Sequence, residues 1–478
     1  NAFDAQSGQT AGAVVNLALK SGTNRLRGAF GYFNRDDARS ATPLLSERAG
    51  SEKPTRSYNR YTATVSGPVV RDRTFFMVSF EHLRDVQPEP ATYTVPTLLM
   101  RQGNFSEFGG PIFDPFSAGG SNNQRQPFAG NIIPSRLLNP VALAYANLYP
   151  EPNRPGTEDN YFTNQLRPYD YNAVLARIDH NFSDDNKVFL TAYWNKRKED
   201  RYNWALGAAN ATGEGAINGF EVTHGFDFRS NTGVTAGFTS TLSHTLLFDL
   251  RASYARFGEW RRPAQDFDPA SLGFSPTTAS LFGDYQYLPF FTFGAFSTTN
   301  QNSTFASLGA QRSDWGVGFT RPFYNIALAP TLTRLMGGHA IRAGYELRYR
   351  RWDITSAGYG AGRYHFNGAY TRANNAAPLN DPAQTFAQFL LGLPTTGTNT
   401  VANPSSTASQ VEIAANGDYR QTSHGLFIQD DWRVNRRLTV NLGVRLEVEQ
   451  ALEEAENENL AGFDVAAASP IEAAAVAR

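Results

Sequence analysis

Apolar and polar residues alternate with a period of two along eleven segments of the chain. In the last of them, every even-numbered residue from Leu438 to Val448 is apolar, and the odd-numbered residues are polar or glycine. Such alternation predicts β-strands with one apolar and one polar face. The predicted strands are 25–34, 58–69, 74–85, 170–182, 187–198, 229–241, 245–258, 321–335, 340–352, 419–433 and 438–449. Because a proline donates no ladder hydrogen bond, Pro330 predicts a bulge or register break within its strand.

The connections between these strands alternate between tight turns and long loops. Five turns contain Asp, Asn, Gly or Ser, which suit turn geometry, and they lie at 70–73, 183–186, 242–244, 336–339 and 434–437. The long loops are 35–57, 86–169, 199–228, 259–320 and 353–418. This alternation puts every tight turn at one end of the sheet and every long loop at the other. Outer-membrane β-barrels have that asymmetry, with short periplasmic turns and long extracellular loops.

The pattern therefore predicts an all-β fold, an antiparallel transmembrane β-barrel with short helices in its loops. Helix-like stretches occur at 135–149 and at 381–393, the second beginning with Asp381 and Pro382 as N-cap and first helical residue. The apolar strand faces should form one outward band about 25 Å tall. A soluble sandwich or propeller is the alternative, in which the same apolar faces would pack against a second sheet.

Composition narrows the class of protein further. The 43 basic and 44 acidic residues give a net charge of -1, so no nucleic-acid partner is expected. Mean hydropathy is -0.41, and no apolar run approaches the roughly 20 residues of a transmembrane helix. The absence of cysteine excludes thiol nucleophiles and Cys-ligated metals, and it leaves the redox compartment undetermined.

Motifs for catalysis or for metal and cofactor binding are missing from the sequence. The seven His are scattered without metal-ligand spacing, and no HExxH, nucleophile elbow, phosphate loop or dinucleotide fingerprint occurs in a suitable context. We therefore nominate no catalytic residue, no metal ligand and no cofactor, and we do not expect an enzyme. An outer-membrane hydrolase is the remaining enzymatic alternative, and it would need a reactive residue at the barrel rim.

The polar strand faces supply the candidate site residues. In a barrel they would line the lumen, where mixed charges keep the interior wet and can bind a polar solute or a plug. Ion pairs between neighbouring strands would explain the same residues without a solute. The candidates are Arg177, Asp179, Asp249, Arg251, Arg342, Glu346, Arg348, Arg350, Asn441, Arg445 and Glu447.

Several motifs resemble those of TonB-dependent receptors, specifically the Oar-like branch. Residues 12–24 are similar to the segment that ends the plug, and 67–76 to the second strand, turn and third strand of that branch. Further matches run along the chain in the same order, at 94–96, 103–106, 131–134, 148–150, 177–182, 429–432 and 442–445. Together these matches extend over nearly the whole chain.

The resemblance implies a barrel of about 22 strands, filled by a plug, that imports solutes with energy from the inner-membrane TonB complex. Residues 1–24 would then be the end of the plug and its linker, 25–449 the first half of the barrel, and 450–478 the start of a truncated extracellular loop. We expect a fragment that transports nothing alone, because an odd strand number leaves two open edges in lipid. TonB would contact a segment upstream of this chain.

Two functions remain open for the parent protein, which we expect in the bacterial outer membrane in contact with lipid. The first is transport, in which extracellular loops bind a scarce nutrient that is then imported. The second is a surface receptor or adhesin, in which the loops bind a partner and nothing crosses. The solute is not readable from the sequence, and an oligosaccharide, a peptide and a siderophore remain equally suitable.

Overall fold

A long antiparallel sheet dominates the structure, a computed structural model. It describes residues 4–6, 8, 19–42, 44, 47, 53, 55–202, 224–263, 267–283, 288–294, 305, 319–356, 359–395, 409–412 and 416–457. The strands are β1 (Arg27–Asp36), β2 (Ser57–Val70), β3 (Thr74–Tyr93), β4 (Tyr161–Asn181), β5 (Asn186–Tyr202), β6 (His224–Ser243), β7 (Leu246–Pro263), β8 (Phe290–Phe293), β9 (Phe319–Met336), β10 (His339–Ser356), β11 (Tyr359–Phe366), β12 (Gln410–Glu412), β13 (Gly417–Arg433), β14 (Thr439–Glu449) and β15 (Glu453–Glu454). The helices are α1 (Leu98–Arg101), α2 (Pro140–Ala146), α3 (Pro276–Ala279) and α4 (Pro382–Leu390).

The eleven predicted strands are confirmed as neighbours in sequence order. The sheet runs β1-β2-β3-β4-β5-β6-β7-β9-β10-β13-β14, and the short β15 pairs with β13 beside β14. Among the described residues, β1 and β14 each pair with one neighbouring strand only, so the sheet is not closed. A separate three-stranded sheet, β12-β11-β8, lies within the long connections.

All five tight turns occur where the sequence predicted them, each between two adjacent antiparallel strands. At the first turn, Asp72 adopts a positive φ of 62°, and Gly337 does the same at the fourth with 58°. Asp and Gly tolerate this left-handed conformation better than most residues. Turn chemistry therefore fixes each hairpin locally, and the sheet follows from five hairpins joined side by side.

The bulge or register break expected at Pro330 is absent. Pro330 pairs with Leu250 of β7, and the register between β9 and β10 is the same on both sides of it. Between the pairs Gly344–Thr331 and Leu347–Leu328, Ala329 and Pro330 have no ladder partners on β10. The hydrogen bond that proline cannot donate therefore leaves only a local gap in the ladder, because the pairs on either side keep the strand in register.

Most strands extend beyond the predicted bounds at the long-loop end of the sheet. The longest extension is in β3 and β4, which remain paired out to Tyr93 and Tyr161. The sequence 86–93 contains Pro88 and Pro90 and lacks alternation, and therefore predicts a loop. Beyond Val86 no pairing between β3 and β2 continues, and prolines are tolerated on such an edge. The loop predicted at 86–169 is therefore shorter.

One face of the long sheet carries exposed apolar side chains. They include Phe30, which is 73% exposed, and Val444, which is 71% exposed. The ladder places Val65 beside Val78 and Val234 beside Tyr254, so these side chains continue across neighbouring strands. Among the described residues no second sheet packs on this face, as the soluble alternative would require.

The helix prediction at 381–393 is confirmed as α4, whose N-cap Asp381 accepts a hydrogen bond from the backbone N–H of Gln384. The single helix predicted over 135–149 is wrong. It divides into a 3-10 turn at Ser135–Leu137 and α2, which begins after the N-cap Asn139. Pro140 has no N–H to continue an earlier helix, but it suits the first position of a new one.

Some predicted segments lie partly outside the described residues. They include 12–18 of the plug-like motif, 203–223 of the third long loop, parts of the other long loops and 458–478 of the final segment. Within the described part of that final segment, β15 pairs with Tyr419 and Arg420. The division into plug end, barrel half and truncated loop stays a prediction.

Candidate functional site

All eleven candidate residues lie on the strand face opposite the exposed apolar side chains, which we call the polar face. The strand register brings four of them together. Glu346 of β10 accepts hydrogen bonds from Arg348 on its own strand and from Arg445 of β14 at 2.8 Å. Arg445 also pairs with Glu447 at 2.6 Å. These four side chains form a linked ion-pair group, which we call the Arg445 cluster.

The N-terminal segment contacts this cluster. Arg342 Nη1 donates to Asp4 Oδ2 at 3.0 Å, and Arg445 Nη1 donates to the backbone carbonyl of Gln6 at 3.2 Å. The Ala5 N–H donates to Gln429 Oε1 at 2.8 Å. Residues 4–6 therefore bind the polar face of β10, β13 and β14, and part of the candidate charge is used to hold them.

A second part of the N-terminal segment lies against the first strands of the sheet, β1–β4. Ser21 Oγ donates to Asp179 Oδ2 of β4 at 2.7 Å. Asn24 bonds both the side chain and the backbone N–H of Asp72 in the first tight turn. Between this segment and β1–β4 lies a cleft of about 610 Å³ with a mixed lining that includes Lys20, Arg27, Met77 and Leu175.

The remaining candidates are not brought into the Arg445 cluster. Arg177 and Asp179 pair with each other on β4 at 2.6 Å, and Asp249 and Arg251 pair on β7 at 3.3 Å. Arg350 lies 3.5 Å from Glu449. Asn441 sits opposite Asp431 in the β13–β14 ladder. The polar face thus contains several separate ion-pair groups. Such pairs are the alternative to a solute-binding role that the sequence analysis left open for these residues.

A further charged group at the long-loop end of β4–β7 escaped the sequence prediction. Arg197 and Arg229 both contact the buried carboxylate of Asp227, at 3.0 and 3.3 Å. Arg229 also pairs with Glu259 at 2.8 Å. Asp227 and Glu259 lie in segments that the sequence predicts as loops, whereas Arg197 and Arg229 lie at the ends of predicted strands. The alternation of Phe226 and Phe228 with Asp227 and Arg229 was the signal that could have extended strand β6.

Three long connections pack together into one body, which we call the loop unit. It comprises residues 94–160, 267–283, 288–294 and 359–395, and it has its own hydrophobic core. The core includes Met100, Tyr145, Phe291, Phe386 and Phe389, all nearly inaccessible to solvent. Burying such large aromatic side chains stabilises each by about 1.5–3 kcal/mol relative to exposure. The loops therefore hold one another in a defined arrangement.

Backbone hydrogen bonds join the three connections of the loop unit. The Asn139 N–H donates to Leu390 O at 2.8 Å, and the Phe113 N–H donates to Thr371 O at 3.0 Å. Strand β11 pairs in parallel with β8 over Arg363–Phe366 and Phe290–Phe293. A movement of any one connection would therefore break contacts with at least one other.

Arg101 and His365 are two of the buried basic residues of the loop unit. Arg101 donates to the backbone carbonyls of Pro96, Tyr149 and Pro150, and burial lowers the pKa of its guanidinium. His365 on β11 is fully buried, with Nδ1 2.8 Å from Thr292 Oγ1. Burial and the neighbouring Arg363 lower the pKa of His365 to about 4, so its ring is neutral at neutral pH.

A cleft of about 450 Å³ opens where the three connections of the loop unit meet. Asn139 and Val141 line it from the first connection, Phe274 and Thr278 from the second, and Tyr364 from the third. Its volume falls within the range of about 300–1,000 Å³ that is usual for small-molecule sites. We call it the inter-loop cleft.

Metal-ligand groups and membrane-crossing helices are both absent from the described residues. No group of three or more His, Cys, Asp or Glu within them could hold a metal ion. Among the helices in that part of the chain, none has the length and apolar character needed to cross a membrane.

Comparison with known protein families decides the class of the chain. Residues 18–477 match the family described as an outer membrane beta barrel domain. The chain belongs to this outer-membrane β-barrel family. The predicted all-β barrel class and the outer-membrane location are thereby confirmed, while the Oar-like branch stays a prediction. A search of curated proteins finds no match.

Solved structures similar to this β-barrel chain are outer-membrane transporters and receptors. The outer membrane transporter YddB from Escherichia coli is 10% identical, with a TM-score of 0.45, over 90% of this chain and 40% of its own. The siderophore receptor PirA from Acinetobacter baumannii is 11% identical, with a TM-score of 0.40, over 91% and 40%. This chain therefore spans about 40% of the length of these structures.

Proposed function

We propose that the whole protein is an outer-membrane transporter that binds a scarce nutrient at the loop unit and imports it with energy from the inner-membrane TonB complex. The packing of three long connections around one cleft carries this proposal. Long loops of a barrel need no common core to connect strands. A shared core of buried aromatic residues is instead what a pre-organised binding surface requires.

In this proposal the solute would cross the membrane along the polar face. The eleven candidate residues would line the lumen, and residues 1–24 would be the end of a plug held there by the Arg445 cluster and by Asp179. The bonds from this face to Asp4, Gln6 and Ser21 are exposed and therefore individually weak, so a plug contact can be exchanged for a solute contact at small cost in free energy. Oligosaccharides, peptides and siderophores all remain candidate solutes.

A cellular uptake experiment tests the proposal. Cells with the intact gene, cells with the gene deleted and cells with an inactive TonB complex are offered labelled oligosaccharides, peptides and ferric siderophores, and a labelled uncharged aromatic compound as a fourth class. We expect accumulation of one solute class to require both the gene and the TonB complex. Unchanged accumulation of every class after gene deletion would count against transport.

The same experiment separates transport from a surface receptor or adhesin. A receptor without transport would still bind its partner at the cell surface after the TonB complex is inactivated. No solute would then accumulate inside the cell in any strain. Surface binding without gene-dependent accumulation would therefore replace the transport proposal with the receptor one.

A further inference from the structure

The inter-loop cleft differs from other parts of the loop unit in the charge of its lining. Every described residue that lines it is uncharged, in a loop unit where Arg101, Arg125 and Arg363 lie elsewhere. Three of its aromatic residues form a stacked row, with ring centroids 6.1 Å apart for Phe274 and Tyr364 and 5.1 Å apart for Tyr364 and Phe291. Phe291 is buried, while Phe274 and Tyr364 are only partly covered.

Several polar atoms in the lining of the cleft already have partners within the protein. Asn139 Oδ1 accepts hydrogen bonds from the N–H groups of Val141 and Ala142. The hydroxyls of Ser275 and Thr278 lie 2.9 Å apart, and Ser275 also caps α3. A bound molecule would thus meet mainly aromatic and aliphatic surface, and a charged group placed there would lose its hydration without compensation.

We infer that the inter-loop cleft binds an uncharged small molecule that carries two or three linked or fused aromatic rings. A dry cavity of about 150 Å³ holds one benzene ring, and the cleft has about 450 Å³. Such rings would extend the stacked row that ends at Phe274 and Tyr364, where offset or edge-to-face contacts are favourable. This inference rests on the proposed function, because it names the solute class that the loop unit would take.

The location of the cleft gives binding a consequence for the loops. A molecule in it contacts all three connections, near α2, α3 and the end of α4. Its occupancy would therefore hold the three connections together, since a ligand stabilises the arrangement to which it binds best.

Photolabelling of the whole natural protein in lipid nanodiscs tests the inference. The two probes are 4-(hydroxymethyl)benzophenone, which is uncharged, and benzophenone-4-carboxylate, which has the same rings and one negative charge. Mass spectrometry locates the labelled peptides. We expect saturable labelling at 139–142, 273–278 and 389–394 by the uncharged probe, and labelling about tenfold weaker by the carboxylate.

Two neighbouring substitutions on α3 provide a matched pair. Thr278 lines the cleft, whereas Thr277 is exposed and does not line it. Thr278→Trp should fill the cleft and abolish its labelling, while Thr277→Trp should leave labelling unchanged. Circular dichroism of both variants checks that each folds, and labelling of the lipid-facing strands should be equal in both.

Equal labelling of the cleft by both probes would overturn the inference. Full labelling of the cleft in a folded Thr278→Trp protein would overturn it as well. Absence of cleft labelling in a protein that still imports a nutrient would refute the ligand class and leave the transport proposal intact. If the cleft is labelled but no solute depends on the gene for its uptake, the transport proposal is refuted and the ligand class stands.

Discussion

Gly425 shows how a single residue shapes the polar face. It lies on β13 between Glu346 and Glu447, its neighbours in the two ladders. A Cβ atom at this position would lie 2.2 Å from Nη2 of Arg445. The glycine therefore leaves the space through which the Arg445 guanidinium crosses β13 and reaches Glu346.

Arg445→Gln should destabilise the protein more than a comparable change at an exposed pair. The Arg445 side chain is 12% exposed and that of Glu346 is 18% exposed. The substitution removes the ion pairs of Arg445 with Glu346 and Glu447, and of the cluster's cations it leaves only Arg348 beside the poorly hydrated Glu346. We expect a loss of about 2 kcal/mol in the free energy of unfolding, measured by denaturant titration in lipid vesicles. Arg251→Gln is the control, since Arg251 is 67% exposed, and it should cost less than about 0.5 kcal/mol. Equal losses would contradict the role of the cluster.

His365 should make the stability of the loop unit depend on pH. Its pKa is lowered from 6.5 to about 4, so between these values the unfolded state binds more protons than the folded one. Stability is then constant above pH 6.5, falls as the pH drops towards 4, and loses about 3 kcal/mol in total. Hydrogen exchange of residues 359–395 between pH 7.5 and 4.5 measures this loss. His365→Gln should remove most of the slope, and an unchanged slope would refute the assignment.

The extension of β3 and β4 illustrates what pairing adds at the scale of the element. Residues 86–93 have no strand pattern of their own, but each has a ladder partner in β4. Phe189 of β5 shows a related effect on the polar face, since its ring lies over Gly237, where a Cβ would be 2.1 Å from it. Neighbouring strands thus decide both the length of a strand and the side chains it tolerates.

The two faces of β6 should respond oppositely to a charge. Val234 lies on the exposed apolar face at 39% exposure, and the adjacent Thr235 lies on the polar face. Val234→Arg should cost about 2–4 kcal/mol of unfolding free energy in a lipid bilayer, because the guanidinium would face hydrocarbon. Thr235→Arg should cost far less, since its side chain faces polar neighbours. Similar costs in lipid vesicles would mean that the apolar face does not meet lipid.

At the scale of the whole molecule, the loop unit links connections that are far apart in the chain. Asn122 Nδ2 donates to Asn374 Oδ1 at 3.4 Å, and the Asn375 N–H donates to Asn122 O at 3.2 Å. These contacts join the connection after β3 to the connection after β10. Transport, unlike surface binding, would require such contacts to open during each cycle.

A reversible cross-link tests whether the loop unit opens. The chain contains no cysteine, so Asn122→Cys with Asn374→Cys introduces a specific thiol pair. A short reducible cross-linker should reduce uptake to the background of the gene deletion, and a reductant should restore it. Each single variant, treated identically, should keep normal uptake. Undiminished uptake by the cross-linked protein would show that these two connections need not separate.

The sequence alone determined the strands, their order and the faces of their side chains. Period-two alternation and turn residues act over a few neighbours, so the pattern from Leu438 to Val448 and the turn at Asp72 are readable without knowledge of the fold. The same parity correctly placed all eleven candidates on one strand face. Their proposed role as lumen residues is a further step that stays a prediction.

Only the tertiary structure decided which of these residues meet and how the loops pack. The link between Glu346 and Arg445 depends on the register of β10, β13 and β14 and on the space at Gly425. The core of the loop unit joins residues as distant as Met100, Phe291 and Phe389. Its short helices and turns have no extended periodic pattern in the sequence that would predict them. They are stabilised by burial against the other connections. Local patterning therefore fixed the barrel strands, whereas long-range packing built the candidate binding site.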